Sequence, residues 1–139
     1  MRILLAFAIL LTLLSGCYKD NVDVSELNTN PFDRDYAGPS VFEFDETFLQ
    51  TVNIGGTNVL YQVIVFRVKE ELFLSPSSYS VQLRDLQNED PNATATPVSP
   101  GSSLYRYQRA PAPGQQICLE LQLFNNQSGA RAETICATL

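Results

Sequence analysis

Gln116-Ile117-Cys118-Leu119-Glu120-Leu121-Gln122-Leu123-Phe124, then Asn125-Asn126-Gln127-Ser128-Gly129, then Glu133-Thr134-Ile135-Cys136-Ala137-Thr138-Leu139, is the stretch that decides the fold. Ile117, Leu119, Leu121 and Leu123 recur at every second residue, so an extended chain puts them on one face and Cys118, Glu120, Gln122 and Phe124 on the other. Asn125 to Gly129 is a turn signal. Beyond it, Ile135, Ala137 and Leu139 share a face opposite Thr134, Cys136 and Thr138. Folding this hairpin with Cys118 across from Cys136 sets Leu119 against Ile135, Ile117 against Ala137 and Glu120 against Thr134. A slip of one residue breaks the apolar match and the cysteine match together. The same register turns Glu133 inward beside Leu121, which predicts a bulge or fraying near the turn.

Working outward, the chain continues to read as strands. Phe42 and Phe44 alternate within Val41–Asp45, and Phe48, Val52 and Ile54 continue a weaker period of two up to Gly55-Gly56. Val59–Val68 is the strongest apolar run, rich in β-branched and aromatic residues. Val63 and Val65 oppose Ile64 and Phe66, so both faces of that strand are apolar. Either loops cover both sides or one side is a docking surface. Tyr79, Val81 and Leu83 alternate with Ser80, Gln82 and Arg84. Asn88–Ser103 has loop composition, and Leu104–Gln108 fits a short strand. Short strands separated by Gly/Pro turns, without a capped helical segment, predict an all-β sandwich.

Pro113-Gly114-Gln115-Gln116-Ile117 resembles the Pro-Gly-Thr-x-Tyr run that leads into the penultimate strand of fibronectin type III and related immunoglobulin-like domains. The Leu119-x-Leu121-x-Leu123-x-Asn125 alternation followed by Gly129 resembles what comes next in that family. The resemblance covers about 27 residues and implies a single immunoglobulin/fibronectin-III-like antiparallel β-sandwich over residues 41–139. Two positions depart from it. Ile117 stands where the family carries its corner tyrosine, and the chain has no tryptophan, leaving Tyr61, Ile64 and Phe66 to fill that space. A different small β-sandwich or barrel is the competing architecture.

The front of the chain reads differently. Met1-Arg2 gives a positive start, and Ile3–Leu14 is apolar apart from Thr12. A dozen residues at about 1.5 Å each are too few to span about 30 Å of hydrocarbon, so residues 1–16 read as a signal peptide and not a retained anchor helix. Leu14-Ser15-Gly16-Cys17 resembles the bacterial lipobox at every position. The resemblance implies cleavage between Gly16 and Cys17, with diacylglycerol on the Cys17 thiol and an acyl chain such as palmitate on the freed amino group. Two or more chains hold a protein firmly on a bilayer where one does not. The alternative is an ordinary signal peptide with a chance cysteine. Residues 17–40 carry five acids, few apolar side chains and no period, and read as the lipidated cysteine and an extended tether. Tyr18 at the second mature position, where retention in the inner membrane would call for Asp, resembles an outer-membrane sorting signal. Lys19-Asp20 with Asp23 looks like the surface-export signals of Bacteroidota lipoproteins, leaving the cell surface and the periplasmic face both open.

Removing 16 of the 139 residues leaves 123, enough for one domain with a real core. Eight basic residues then face 15 acidic ones, a net charge near −7 that repels nucleic acid and anionic head groups. Histidine is absent, which removes the commonest general base and the commonest metal ligand. With Cys17 assigned to lipid, Cys118 and Cys136 remain as a pair in an exported protein, where a structural disulfide is expected and two free thiols are the alternative. Too few Cys and His remain for a zinc site, and a spacing of 18 is not that of a Cys-x-x-Cys redox pair.

A specific catalytic set is not found in the sequence. Glu70-Glu71 reads as a solvated turn, Glu89-Asp90 beside Pro91 as either a loop calcium site or a plain acidic loop, and the Asn92 and Asn126 sequons as idle in a bacterial chain. Tyr105, Tyr107 and Arg109 are the best candidates for contact with a partner or a glycan. If Leu104 and Arg106 point inward, those three share the outer face. The alternative keeps the tyrosines in the core and the arginines at the rim. These readings lead to an expectation of a non-enzymatic lipoprotein of the outer membrane. It would need no cofactor beyond its lipid and would act as an accessory subunit on an envelope protein partner. A carbohydrate-binding lipoprotein stacking sugars on Tyr105 and Tyr107 is the alternative.

Overall fold

The computed structural model describes residues 28–75, 78–88, 93–126 and 129–138. The signal peptide, Gly16, Cys17, the first part of the tether, Glu89-Asp90-Pro91-Asn92, Gln127-Ser128 and Leu139 lie outside the described residues. Among the described residues seven strands follow in order: β1 Phe42–Ile54, β2 Thr57–Val68, β3 Ser80–Asp85, β4 Thr96–Pro97, β5 Leu104–Arg109, β6 Gln116–Phe124 and β7 Glu133–Thr138. A 3-10 turn spans Glu70–Leu72. Among the described residues no helix is long and apolar enough to cross a membrane.

The strands form two antiparallel sheets, β1-β2-β5-β4 and β3-β6-β7. This division and order are those of the constant-type immunoglobulin sandwich. The fold is therefore the all-β sandwich that the short alternating strands predict. β4 is the one addition, a two-residue strand on β5 inside the Asn88–Ser103 stretch that composition marks as loop.

The β6–β7 register is the one the alternation dictates. Ile117 pairs with Ala137, Cys118 with Cys136, Leu119 with Ile135, Glu120 with Thr134 and Leu121 with Glu133. Cys118 and Cys136 are bonded, their Cα atoms 4.1 Å apart, the close spacing of a non-hydrogen-bonded pair. The bridge lies on the outer face, where Cys136 is exposed, and fastens the edge strand β7 to its neighbour. From Leu121–Glu133 to the isolated bridge Phe124–Gly129 the pairing slips by one residue, which is the expected bulge. Glu133 is satisfied there. Its carboxylate accepts from the Val41 amide at 3.0 Å and from the Ser40 hydroxyl, and so ties the start of β7 to the start of β1.

The core lies between the sheets. Phe42, Ile64, Phe66 and Val68 from one side face Ile117, Leu119, Leu121 and Leu123 from the other. Phe66 is wholly buried, edge-on to Phe42 at 6.2 Å and stacked on Tyr105 at 5.9 Å. Ile64 and Phe66 thus fill the space that lacks a tryptophan, whereas Tyr61 belongs to the opposite face of β2. Each such side chain contributes about 1.5–3 kcal/mol on burial.

Residues 28–40 are not part of a tether. Pro31, Phe32 and Tyr36 are buried, with the Phe32 ring 4.8 Å from Phe73. They follow no strand period because the segment is a string of turns. The side-chain oxygens of Asn28, Asn30 and Asp33 each accept the amide two residues on. Gly38 is required beneath Tyr36, where a Cβ would sit 2.3 Å from ring atoms.

Replacing Cys118 and Cys136 together with alanine should lower unfolding free energy by about 3 kcal/mol in the chain-entropy account, read from urea denaturation. The far-ultraviolet spectrum should not change, because no core volume is lost on the outer face.

Candidate functional site

Of the residues that sequence reading put forward for contact, the two tyrosines and the arginine are all inside. Leu104 pairs with Arg67 and Arg106 with Val65 on the outer face, so the parity is the reverse of the outward platform. Tyr105 lies opposite Phe66 and Tyr107 opposite Ile64, both in the core. Two aromatic rings on Phe66 and Ile64 bury far more apolar area than a leucine and an arginine would. A sugar-stacking platform from Tyr105 and Tyr107 is therefore not formed. Arg109 shares their face and is only 9% exposed at its side chain, so it is not a rim residue either.

What balances that buried guanidinium is Asp85, the last residue of β3, which has no exposed side-chain surface. Its carboxylate accepts Arg109 Nη1 at 2.6 Å, the Tyr107 hydroxyl at 3.1 Å and the amides of Gln87 and Asn88 at 3.0 and 3.1 Å. Both oxygens are engaged, so the group joins the two sheets and has no lone-pair direction left for a general base. The pattern Val81-x-Leu83-x-Asp85 held the signal: a carboxylate at an inward position needs a buried cation.

Other polar groups are equally committed. Gln62, fully buried, accepts the Ala112 amide at 3.1 Å and donates to the Thr47 hydroxyl at 3.4 Å. Tyr79 donates to Glu70, which places Glu70 in a solvated turn with a structural partner. Among the described residues no three His, Cys, Asp or Glu side chains gather as a metal site. An open cleft of about 210 Å³ between Tyr79, Phe124 and Asn126 is smaller than pockets that enclose small molecules.

The distinctive surface is on β1 and β2. Asp45 is an extra, unpaired residue between Phe44–Phe66 and Glu46–Val65. That one insertion exchanges the faces of β1. Phe42 is buried and Phe44, on the same face at the rim, is exposed, whereas Phe48, Val52 and Ile54 lie on the opposite face, so they do not continue one row. Past Gln62 the hairpin leaves the sandwich and projects about six residues, roughly 20 Å. Phe48, Leu49, Ile54 and Leu60 are 38–52% exposed. From Thr47 to Phe66 the chain carries no charged residue.

The arm has its own local reasons to form. Gly55 and Gly56, at φ +59° and +89°, make the two-residue turn that matches strand twist. Asn53 accepts the Gly56 amide and donates to Asn58 across the strands. Val52 faces Val59 and Phe48 faces Val63. Val63 is nevertheless buried, because Phe48 stands beside it and Gln108 donates to Gln50 across the outer face of β2 at 3.1 Å. Side chains of neighbouring strands, rather than loops, cover that second apolar face. Beyond Glu46, β1 is also a free sheet edge: among the described residues none pairs with it.

Comparison of the chain with protein-family models, with curated proteins and with solved structures returned no match.

Asp85→Ala should cost about 3–5 kcal/mol in urea unfolding, because Arg109 is left buried without its counter-charge. Tyr107 holds its proton up to about 12, through burial and then the neighbouring charge of Asp85. An unfolded tyrosine ionises near 10, so this group's stabilisation is complete below pH 10 and is lost as pH rises toward 12. Urea midpoints between pH 9 and 12 should fall, and fall less steeply in Tyr107→Phe.

Proposed function

We propose that the chain is a lipid-anchored, non-enzymatic interaction module of the outer membrane, an accessory subunit that grips a partner protein through the β1 edge and the projecting β1–β2 arm. The observation that carries this reading is the arm itself. A two-stranded ribbon with apolar side chains on both faces gains little by standing alone in water. An exposed, flat, uncharged edge is also what natural sheets avoid unless something pairs with it. The acids that would blunt such an edge, Glu43, Asp45 and Glu46, stop where the exposed part begins.

The anchor part rests on Leu14-Ser15-Gly16-Cys17 and on Tyr18 after it. The absence of enzymatic chemistry is supported by the use already made of the buried acid: Asp85 is saturated by Arg109, Tyr107 and two amides. A net charge near −7 in the mature chain favours a protein partner over nucleic acid.

Cys17→Ser should move the chain from the membrane to the soluble fraction, and firm attachment persisting in that variant would count against the anchor. Extraction of the native protein in mild detergent should retain a stoichiometric protein, and Leu49→Asp on the exposed arm should lose it without lowering thermal stability. An unchanged complex in Leu49→Asp would remove the arm from the interface.

A further inference from the structure

The geometry points to a specific occupant for the β1 edge: the same edge of a second copy of this chain, paired antiparallel about a two-fold axis through Thr51. This rests on the reading of the β1 edge as the docking surface and names what covers it.

The edge is bounded at both ends. Asp45 bulges at one end, with Glu46 beside it, and the Gly55-Gly56 turn closes the other. Seven residues, Phe48-Leu49-Gln50-Thr51-Val52-Asn53-Ile54, pair with β2 on one side, and on the other no described residue pairs with them. A two-residue turn closes on the hydrogen-bonded pair Ile54–Thr57, so ladder alternation directs the amide and carbonyl groups of Thr47, Leu49, Thr51 and Asn53 to the free side. The last three of these positions are symmetric about Thr51, and Thr47 then comes opposite the partner's Gly55 in the turn. A second copy laid antiparallel with Thr51 on Thr51 therefore meets donor with acceptor at Leu49 with the partner's Asn53, at Thr51 with the partner's Thr51, and at Asn53 with the partner's Leu49.

The side chains agree with the same centre. On the outer face Phe48 comes opposite the partner's Ile54, and Gln50 opposite the partner's Val52, so apolar bulk meets apolar bulk at both ends of the strip. A shift of one residue would move Phe48 off Ile54 and expose both rows.

Charge does not oppose this pairing at the contact itself. Two strongly acidic chains repel except where neither carries charge, and Thr47–Phe66 is that strip. In the Thr51-centred register Glu46 falls beside the partner's Gly56, past the end of its strand. The two Glu46 carboxylates lie ten positions, roughly 34 Å, apart along the strands, several screening lengths at physiological salt. The pairing joins two copies into one continuous sheet, β2-β1 against β1-β2, and abolishes both exposed edges, an isologous closure.

The test uses the full exported chain purified in mild detergent. Chains with Gln50→Cys are mixed with chains with Val52→Cys under gentle oxidation, and junctions are mapped by mass. The expected product joins position 50 to position 52 in the mixture, with at least tenfold less cross-link in either variant alone. Sedimentation of the unmodified protein should show a dimer, and Thr51→Lys should weaken it at least tenfold by setting two lysines face to face. A monomer at about 100 μM, equal cross-linking in single variants and mixture, or Thr51→Lys abolishing adhesion to neutral phosphatidylcholine vesicles with no dimer present would each overturn the self-pairing. Loss of a different co-purifying protein in Thr51→Lys, from a chain that is otherwise monomeric, would overturn the self-pairing alone and leave the docking surface standing.

Discussion

Phe66 sits where everything else in the sandwich must come to it. Its ring is flanked by Phe42 on one neighbouring strand and Tyr105 on the other, and the Ile117–Leu123 row closes over it from the second sheet. Once Phe66 takes the centre, the side chains of β5 have only one parity. Tyr105 and Tyr107 must turn inward, and Arg109, two residues further on the same face, is drawn in with them. An inward guanidinium without a counter-charge would be intolerable, and Asp85 at the end of β3 meets it. One packing requirement thus leads through the period of the strand to an ion pair that joins the sheets.

The parts legible from sequence were those in which a single register satisfies several independent demands. The β6–β7 hairpin is such a case: cysteines, apolar row and the misfit of Glu133 all specify the same pairing. Leu104-Tyr105-Arg106-Tyr107 is the opposite case. Either parity gives an amphipathic strand, and the residues that decide it, Phe66 and Asp85, lie 19 to 41 positions away. The bulge at Asp45 was equally silent, because Glu43-Phe44-Asp45-Glu46 alternates acceptably whether or not one residue is skipped. The turns of residues 28–40 bury Phe32 and Tyr36 without any repeat, and an aperiodic, acidic segment reads as solvated until its aromatics are seen against the core.

Local pairing and global packing have been separated in this molecule. Within the sandwich each polar group that goes inside is met: Gln62 by Ala112 and Thr47, Asp85 by four donors, Glu133 by Val41 and Ser40. Outside it, the β1–β2 arm is held by turn chemistry and cross-strand pairs alone, with no charge to keep it solvated. The asymmetry between a fully satisfied body and an unsatisfied appendage is the physical ground for the proposal that the appendage is the recognition surface.

If the chain is lipid-anchored as proposed, the burial of Phe32 and Tyr36 bounds how high the body could stand above a membrane. With residues 28–40 folded onto the sandwich, ten positions of sequence, 18 to 27, lie between Cys17 and the first described residue. Ten residues reach at most about 35 Å when drawn taut. On the lipid-anchored reading this is a short leash, little more than the thickness of a bilayer. Encounters would be confined to structures that themselves hug the membrane plane, and local crowding of copies on a two-dimensional surface would favour meetings between like bodies far more than the same number of molecules free in solution.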